Sequence, residues 1–163
     1  MSTQASRKSR TGPTTPEQHA WVGLVRAHAS TIRRFDAELV TGHGLTLSDY
    51  EVLLHLARAP DQRLRRVDLA KSVLLTPSGI TRLLEGLERS GYVERASCES
   101  DARVTYAQLT DDGYEKLRQA SKTHVEGIRR HFTARFSTEE LETLRELLER
   151  LPEGLEASGD CAA

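Results

Sequence analysis

The most constraining stretch of this chain lies between residues 46 and 109. Three short helix-like segments are each stopped before they can lengthen, and two alternating runs follow them. Thr46 stands before Leu47-Ser48-Asp49 as a helix cap with an acid three positions on. Tyr50, Leu53, Leu54, Leu56 and Ala57 then carry an apolar stripe up to Pro60. A third helix is predicted from about Arg66 to Ser72, with Val67, Leu69, Ala70 and Val73 turned inward. Thr76-Pro77-Ser78-Gly79 opens a fourth. Thr76 is its cap, and Pro77 sits at the first helical position, where a missing N–H costs nothing. Ile80, Leu83, Leu84 and Leu87 form its apolar face, and Ser90-Gly91 stops it. Tyr92–Arg95 and Val104–Leu109 read as two short strands around a polar tip, residues 97–101. Three short helices and a hairpin in 64 residues must share one core, which is the plan of a winged helix-turn-helix.

Long helices flank this block. Over residues 16–45, Trp21, Leu24, Val25, His28, Ile32, Phe35 and Leu39 fall on one stripe, and Thr41-Gly42-His43-Gly44 ends it. Thr110-Asp111-Asp112-Gly113 starts a fifth helix, expected to run to about Phe136. Ser137-Thr138-Glu139-Glu140 is a capping box for a sixth, lined by Leu141, Leu144, Leu147, Leu148 and Leu151. Residues 110–151 are therefore a C-terminal helical arm. Residues 1–15 read as a disordered basic tail with Arg7, Lys8 and Arg10, and residues 152–163 as a loose tail. The expected fold is mainly α with a small β-hairpin wing.

Several classes of function drop out. The 163 residues suit one domain. No run of 18 apolar residues exists to cross a membrane, and the polar N-terminus lacks the apolar stretch of a secretory signal. Cys98 and Cys161 stand far apart without a CxxC, which fits the cytoplasm and no disulfide framework. The six histidines do not fall at metal-ligand spacing, so no metal or other cofactor is expected. No nucleophile–base pair or phosphate loop appears, and Asp111-Asp112 are first-turn acids rather than a catalytic dyad, so the chain does not read as an enzyme.

The residue types at the fourth helix suit duplex DNA. Thr76, Pro77, Ser78, Thr81 and Arg82 cluster at its start. Small hydroxyls and free N–H groups at a helix N-terminus bind phosphates, and an outward arginine reaches a guanine edge or a phosphate. On the wing, Asp101 precedes Arg103 by two residues, a pair that suits an arginine entering the minor groove with its fork held from behind. Arg95 and Arg65-Arg66 add candidate phosphate contacts.

These residues resemble the MarR family of bacterial transcription regulators. The likeness is carried by Leu45-Thr46, by Leu69-Ala70, by Leu75 to Leu84, by Leu87-Glu88-Arg89-Ser90-Gly91-Tyr92-Val93, and by Asp101-x-Arg103 leading to Leu109-Thr110-Asp111-Asp112-Gly113. The resemblance implies helical dimerisation arms, a homodimer on a pseudo-palindromic operator, and a small-molecule effector that relieves repression. Trp21 and its neighbours also resemble a subgroup that has a tryptophan near the start of its first helix and answers to anionic metabolites. By type and region, Trp21, Arg26, Asp68 and Arg118 are the residues this likeness puts forward for such a ligand.

Charge leaves a second reading open. The net charge is −1, where DNA-binding domains usually carry a basic excess, so a winged-helix protein-interaction module without DNA binding is the alternative. The total conceals an asymmetry, however. Residues 136–163 hold eight acids and two bases, a net −6, which leaves residues 1–135 at +5. A dimer doubles that basic body, which is enough for modest non-specific affinity.

Overall fold

The computed structural model describes residues 13–73, 75–97 and 105–151. The elements follow in the order α1 (Thr15–His43), α2 (Leu47–Arg58), β1 (Arg63–Arg65), α3 (Arg66–Ser72), α4 (Pro77–Arg89), β2 (Val93–Ser97), β3 (Thr105–Leu109), α5 (Asp111–His131) and α6 (Thr138–Leu148). Local chemistry explains most boundaries. Thr14, Thr46 and Ser137 cap α1, α2 and α6 in reciprocal capping boxes with Glu17, Asp49 and Glu140. Gly44 ends α1 in the left-handed region at φ 67°, with its N–H bonded to the Val40 carbonyl, so the helix runs three residues past Val40.

Two boundaries differ from the sequence reading. The wing is not a two-stranded hairpin but part of a three-stranded antiparallel sheet of order β1-β3-β2. The added strand, Arg63-Leu64-Arg65, is too short to show an alternation. Asp61 and Gln62, with φ of 54° and 53°, turn the chain so that Arg63, Leu64 and Arg65 lie opposite Gln108, Ala107 and Tyr106. The fifth helix ends at His131 rather than Phe136. The Arg135 guanidinium bonds back to the His131 carbonyl at 3.1 Å, and the Phe132 ring packs tilted against Phe136 at 5.4 Å. Those two contacts fold residues 133–135 into a 3-10 turn before α6.

One core serves the whole block. Val52, Leu53 and Leu56 of α2, Leu69 of α3, and Ile80, Leu84 and Leu87 of α4 meet Val93, Ala107 and Leu109 of the sheet. Leu117 and Ala120 of α5 and Phe35 and Leu39 of α1 extend that core, which seats the C-terminal half of α1 across α5. Gly127 lets the two helices approach closely here: a Cβ there would lie 2.8 Å from the Glu38 carboxylate, which would have to swing aside, and 3.4 Å from the Phe35 ring. By contrast, the N-terminal half of α1 is exposed, and α6 has no fully buried residue, with Leu141, Leu144 and Leu148 half-buried. Trp21, Val22, Leu24, Val25, Phe136 and Leu147 stand exposed, Trp21 by 65%.

Candidate nucleic-acid interface

The start of α4 is built by its own sequence. The Thr76 hydroxyl accepts the Gly79 N–H at 3.1 Å and lies 3.2 Å from the Ser78 hydroxyl. A Cβ at Gly79 would sit 3.2 Å from the Thr76 hydroxyl oxygen, so glycine lets the cap close tightly. Pro77 occupies the first helical position. Because Ile80, Leu84 and Leu87 are buried against the core, the helix must turn Ser78 and Arg82 to solvent, and both are exposed. Thr81, between the two faces, is half-buried. The result is a short helix whose N-terminal dipole, hydroxyls and outward arginine share one surface, a combination that attracts phosphates and can read base edges.

The far end of α4 is tied to its neighbours through Glu88. Its carboxylate accepts the Arg66 Nη2 at 2.9 Å from the first turn of α3 and the Arg95 Nε at 2.9 Å from β2. Arg95 is thus placed beside α4, and its side chain remains 57% exposed. Arg63 and Arg65 add exposed cations along β1, a set that the sequence reading only half found because the strand was missed. Arg63 lies over the Tyr106 ring at 5.4 Å and pairs with Asp61 at 3.3 Å. Asp101, Arg103 and Cys98 lie outside the described residues.

The four candidate ligand residues are placed on three elements. Trp21 and Arg26 are on the unburied half of α1, Asp68 is in the first turn of α3, and Arg118 is on α5. All four are exposed. Arg118 is held by Glu115 through its Nε and Nη2, each at 2.7 Å, and this pairing lowers the Glu115 carboxyl to about 2. In one chain the structure does not bring these four residues together. None lines either of two surface grooves. The larger, about 1080 Å³, runs between α1 and α6 and is walled by Leu24, Ile32, Phe132, Phe136, Leu144 and Leu147 among others. The smaller, about 430 Å³, lies between α3 and α4 beside Val67, Ala70, Leu75 and Ile80.

Where the winged block meets the long helices, a histidine that no sequence signal singled out is packed between aromatic rings. His124 of α5 stands edge-on to Phe35 at 5.2 Å and tilted against Tyr50 at 4.6 Å. Its Nδ1 is buried with no hydrogen-bond partner among the described residues. Burial holds its pKa below the ordinary histidine value. Among the described residues no group of three or more metal-ligating side chains converges, and no helix is long and apolar enough to cross a membrane.

Comparison with known proteins agrees with this geometry. Residues 43–104 match a family model described as MarR family. The chain is 31% identical over 129 residues to the homoprotocatechuate degradative operon repressor of Escherichia coli, covering 78% of this chain and 84% of that one. It is 37% identical over 87 residues to the transcriptional repressor YetL of Bacillus subtilis, where the match spans only about half of each protein, 53% and 52%. The solved structure of Sco3205, a MarR family transcriptional regulator from Streptomyces coelicolor in complex with DNA, superimposes with a TM-score of 0.84. That match has 33% identity and covers 91% of this chain and 93% of the other.

Proposed function

The chain belongs to the MarR family, and from that premise we propose that it is a homodimeric transcriptional repressor, released from a pseudo-palindromic DNA operator by a small anionic ligand. The observation that carries the DNA-binding part is the surface of α4. Its apolar side is locked into the core, and Thr76, Ser78 and Arg82 are thereby left together at an exposed, capped N-terminus. In this reading α4 enters the major groove, with Pro77 setting its first turn and Thr81 and Arg82 facing base edges or phosphates. Arg95 holds a phosphate, and Arg103, backed by Asp101, reaches the minor groove from the wing. The relatives named as repressors support the direction of control.

Dimerisation is supported by the apolar surface that one chain leaves uncovered. The groove between α1 and α6 and the exposed stripe through Trp21, Leu24 and Val25 are what a second copy would cover. Two copies would set their α4 helices about one DNA turn apart, roughly 34–36 Å. The domains follow: residues 16–45 and 110–151 as dimerisation arms, and residues 46–109 as the DNA-binding lobe. Trp21, Arg26, Asp68 and Arg118 share no groove within one chain, so in this reading an effector site formed by them would be completed only by the second chain. Ligand binding would favour a dimer whose α4 spacing no longer matches successive major grooves.

Gel retardation on the chain's own upstream intergenic DNA tests this function. Retardation at low salt, weakened by Arg82→Ala and by Arg103→Ala with a shallower salt slope for each, is the expected result. No retardation at low salt would overturn it and favour the protein-interaction module that the net charge of −1 leaves open.

A further inference from the structure

Glu88 is an unusual residue for its place. A carboxylate in the last turn of a helix faces the negative end of the helix dipole, which disfavours it. It also puts a negative charge on the helix that the proposed function inserts into polyanionic DNA. Yet Glu88 is mostly buried, 19% exposed, and it draws in two arginines from two other elements. Its Oε1 accepts both the Arg66 Nη2 at 2.9 Å and the Arg95 Nε at 3.0 Å, and its Oε2 accepts the same Arg95 Nε at 2.9 Å. Arg66 is itself mostly buried, and its Nε has no partner among the described residues, so its hydrogen bond to Glu88 runs through Nη2. The cluster thus links α3, α4 and β2 through one carboxylate.

The contact to Arg95 uses only the Nε edge of the guanidinium. A side chain still 57% exposed can offer its Nη edge to a phosphate oxygen while the Nε edge stays on Glu88. Arg95 lies on β2 opposite Ala107, and Ala107 is buried, so the backbone beneath it is anchored in the sheet. The remaining freedom of Arg95 is the swing of its own long side chain, and Glu88 removes it. Two arginines against one carboxylate leave the cluster net positive.

We propose that Glu88 is a positioning residue for DNA binding. It does not touch DNA itself; it aims Arg95 at the backbone and joins that arginine's position to α4. This rests on the DNA-binding reading above. It also predicts a sign opposite to that of simple electrostatics. Removing a negative charge near DNA should tighten binding, whereas removing a positioning residue should weaken it.

The test is a double-mutant cycle on the full-length protein. The variants are Glu88→Gln, Arg95→Ala and the pair, titrated by fluorescence anisotropy. One probe is a duplex from the chain's own upstream intergenic DNA, the other a mixed-sequence duplex of equal length, both across a salt series. Glu88→Gln should weaken upstream-DNA affinity by about tenfold and make the salt slope shallower by about one ion. In the Arg95→Ala background the same change should do nothing further. Arg95→Lys, which leaves Glu88 and the fold's charge intact, should also lose several-fold, because a freely rotating ammonium has no planar fork for one carboxylate contact to aim at a phosphate. Unchanged or tighter binding by Glu88→Gln would overturn the proposal. Additive losses in the double variant would assign Glu88 a general structural role and overturn it as well. Parental affinity in Arg95→Lys would do the same even if Glu88→Gln failed to fold. If the parent bound neither duplex at low salt, the DNA-binding reading would fall and the positioning role with it.

Discussion

Gly113→Ala is the substitution in which local propensity and tertiary packing disagree most sharply. Gly113 is the third residue of α5, and alanine is favoured over glycine in a helix interior by about 1 kcal/mol. Tertiary structure points the other way. A Cβ at this position would lie 2.1 Å from the Tyr92 carbonyl oxygen and 2.9 Å from Leu109 Cδ1. The closer neighbour is backbone, and the Leu109 side chain is buried in the core with little room to give. Tyr92 follows the tight Gly91 turn after α4, and its carbonyl accepts the Thr110 N–H at 3.1 Å. Relief therefore requires the start of α5 to move by about an ångström away from that turn. Such a shift weakens the Thr110 cap on the Gly113 N–H (3.0 Å) and the Thr110 hydroxyl bond to the Gly91 carbonyl (2.7 Å). Overpacking costs about 1–3 kcal/mol and a lost cap about 1, with a further 1 for each disturbed hydrogen bond. After the gain in propensity, the net destabilisation is about 2–4 kcal/mol. Urea denaturation at fixed protein concentration should show the midpoint falling by more than about 1 M at unchanged slope. Gly86→Ala is the matched control. It lies inside α4 with nothing within 4 Å of its Cβ, so it should hold or raise stability by up to about 1 kcal/mol. A Gly113→Ala protein as stable as the parent would refute the reasoning, since it would mean the junction between α4 and α5 yields without cost.

Other expectations concern association, capping and pH. If the proposed dimer forms through α6, Leu147→Glu, on the exposed side of α6 facing the groove to α1, should shift the protein from twice the chain mass to the chain mass in analytical ultracentrifugation; an unchanged mass would take α6 out of that proposal. Thr76→Ala should lower stability by about 1 kcal/mol through the lost bond to the Gly79 N–H, and a thermal melt unaffected by the change would show that the cap contributes nothing. His124 is held neutral by burial, and His55 by burial and then by Arg58, so both bind protons more readily when unfolded. Stability should therefore fall as pH drops below about 6.5, the unfolded histidine value. Glu51, raised by burial, titrates in the opposite sense, so the clean comparison is parent against His124→Phe, whose stability should fall less between pH 7 and 5.5. Parallel curves for the two would exclude His124 as the source.

Most of the helical framework was legible in the chain because it is written in local chemistry. Caps at Thr46, Thr76, Thr110 and Ser137 and stops at Gly44 and Gly91 act within one turn of where they stand, so no distant residue is needed to interpret them. The exposed face at the start of α4 followed in the same way, since an apolar face at Ile80, Leu84 and Leu87 leaves Ser78 and Arg82 the outer side. Long-range pairing was not legible. Arg63-Leu64-Arg65 is a strand only because β3 lies beside it. The end of α5 is a local event, since Arg135 and Phe136 fold back over four residues, but no glycine or other stop residue marks it in the sequence.

The same division separates the parts of the interface. Residue type and spacing by themselves determined which helix carries the hydroxyls and the arginine, and that the wing follows it. Tertiary structure alone decided that Glu88 holds Arg66 and Arg95 in one cluster. It also decided that the Tyr92 carbonyl closes on Gly113, that His124 is enclosed by Phe35 and Tyr50, and that the stripe through Trp21 stays uncovered in one chain. The physical reason is range. Capping and amphipathic periodicity act over three to four residues, whereas these contacts join residues on different elements, seven residues apart for Glu88 and Arg95 and more for the others, whose proximity exists only once the shared core has formed.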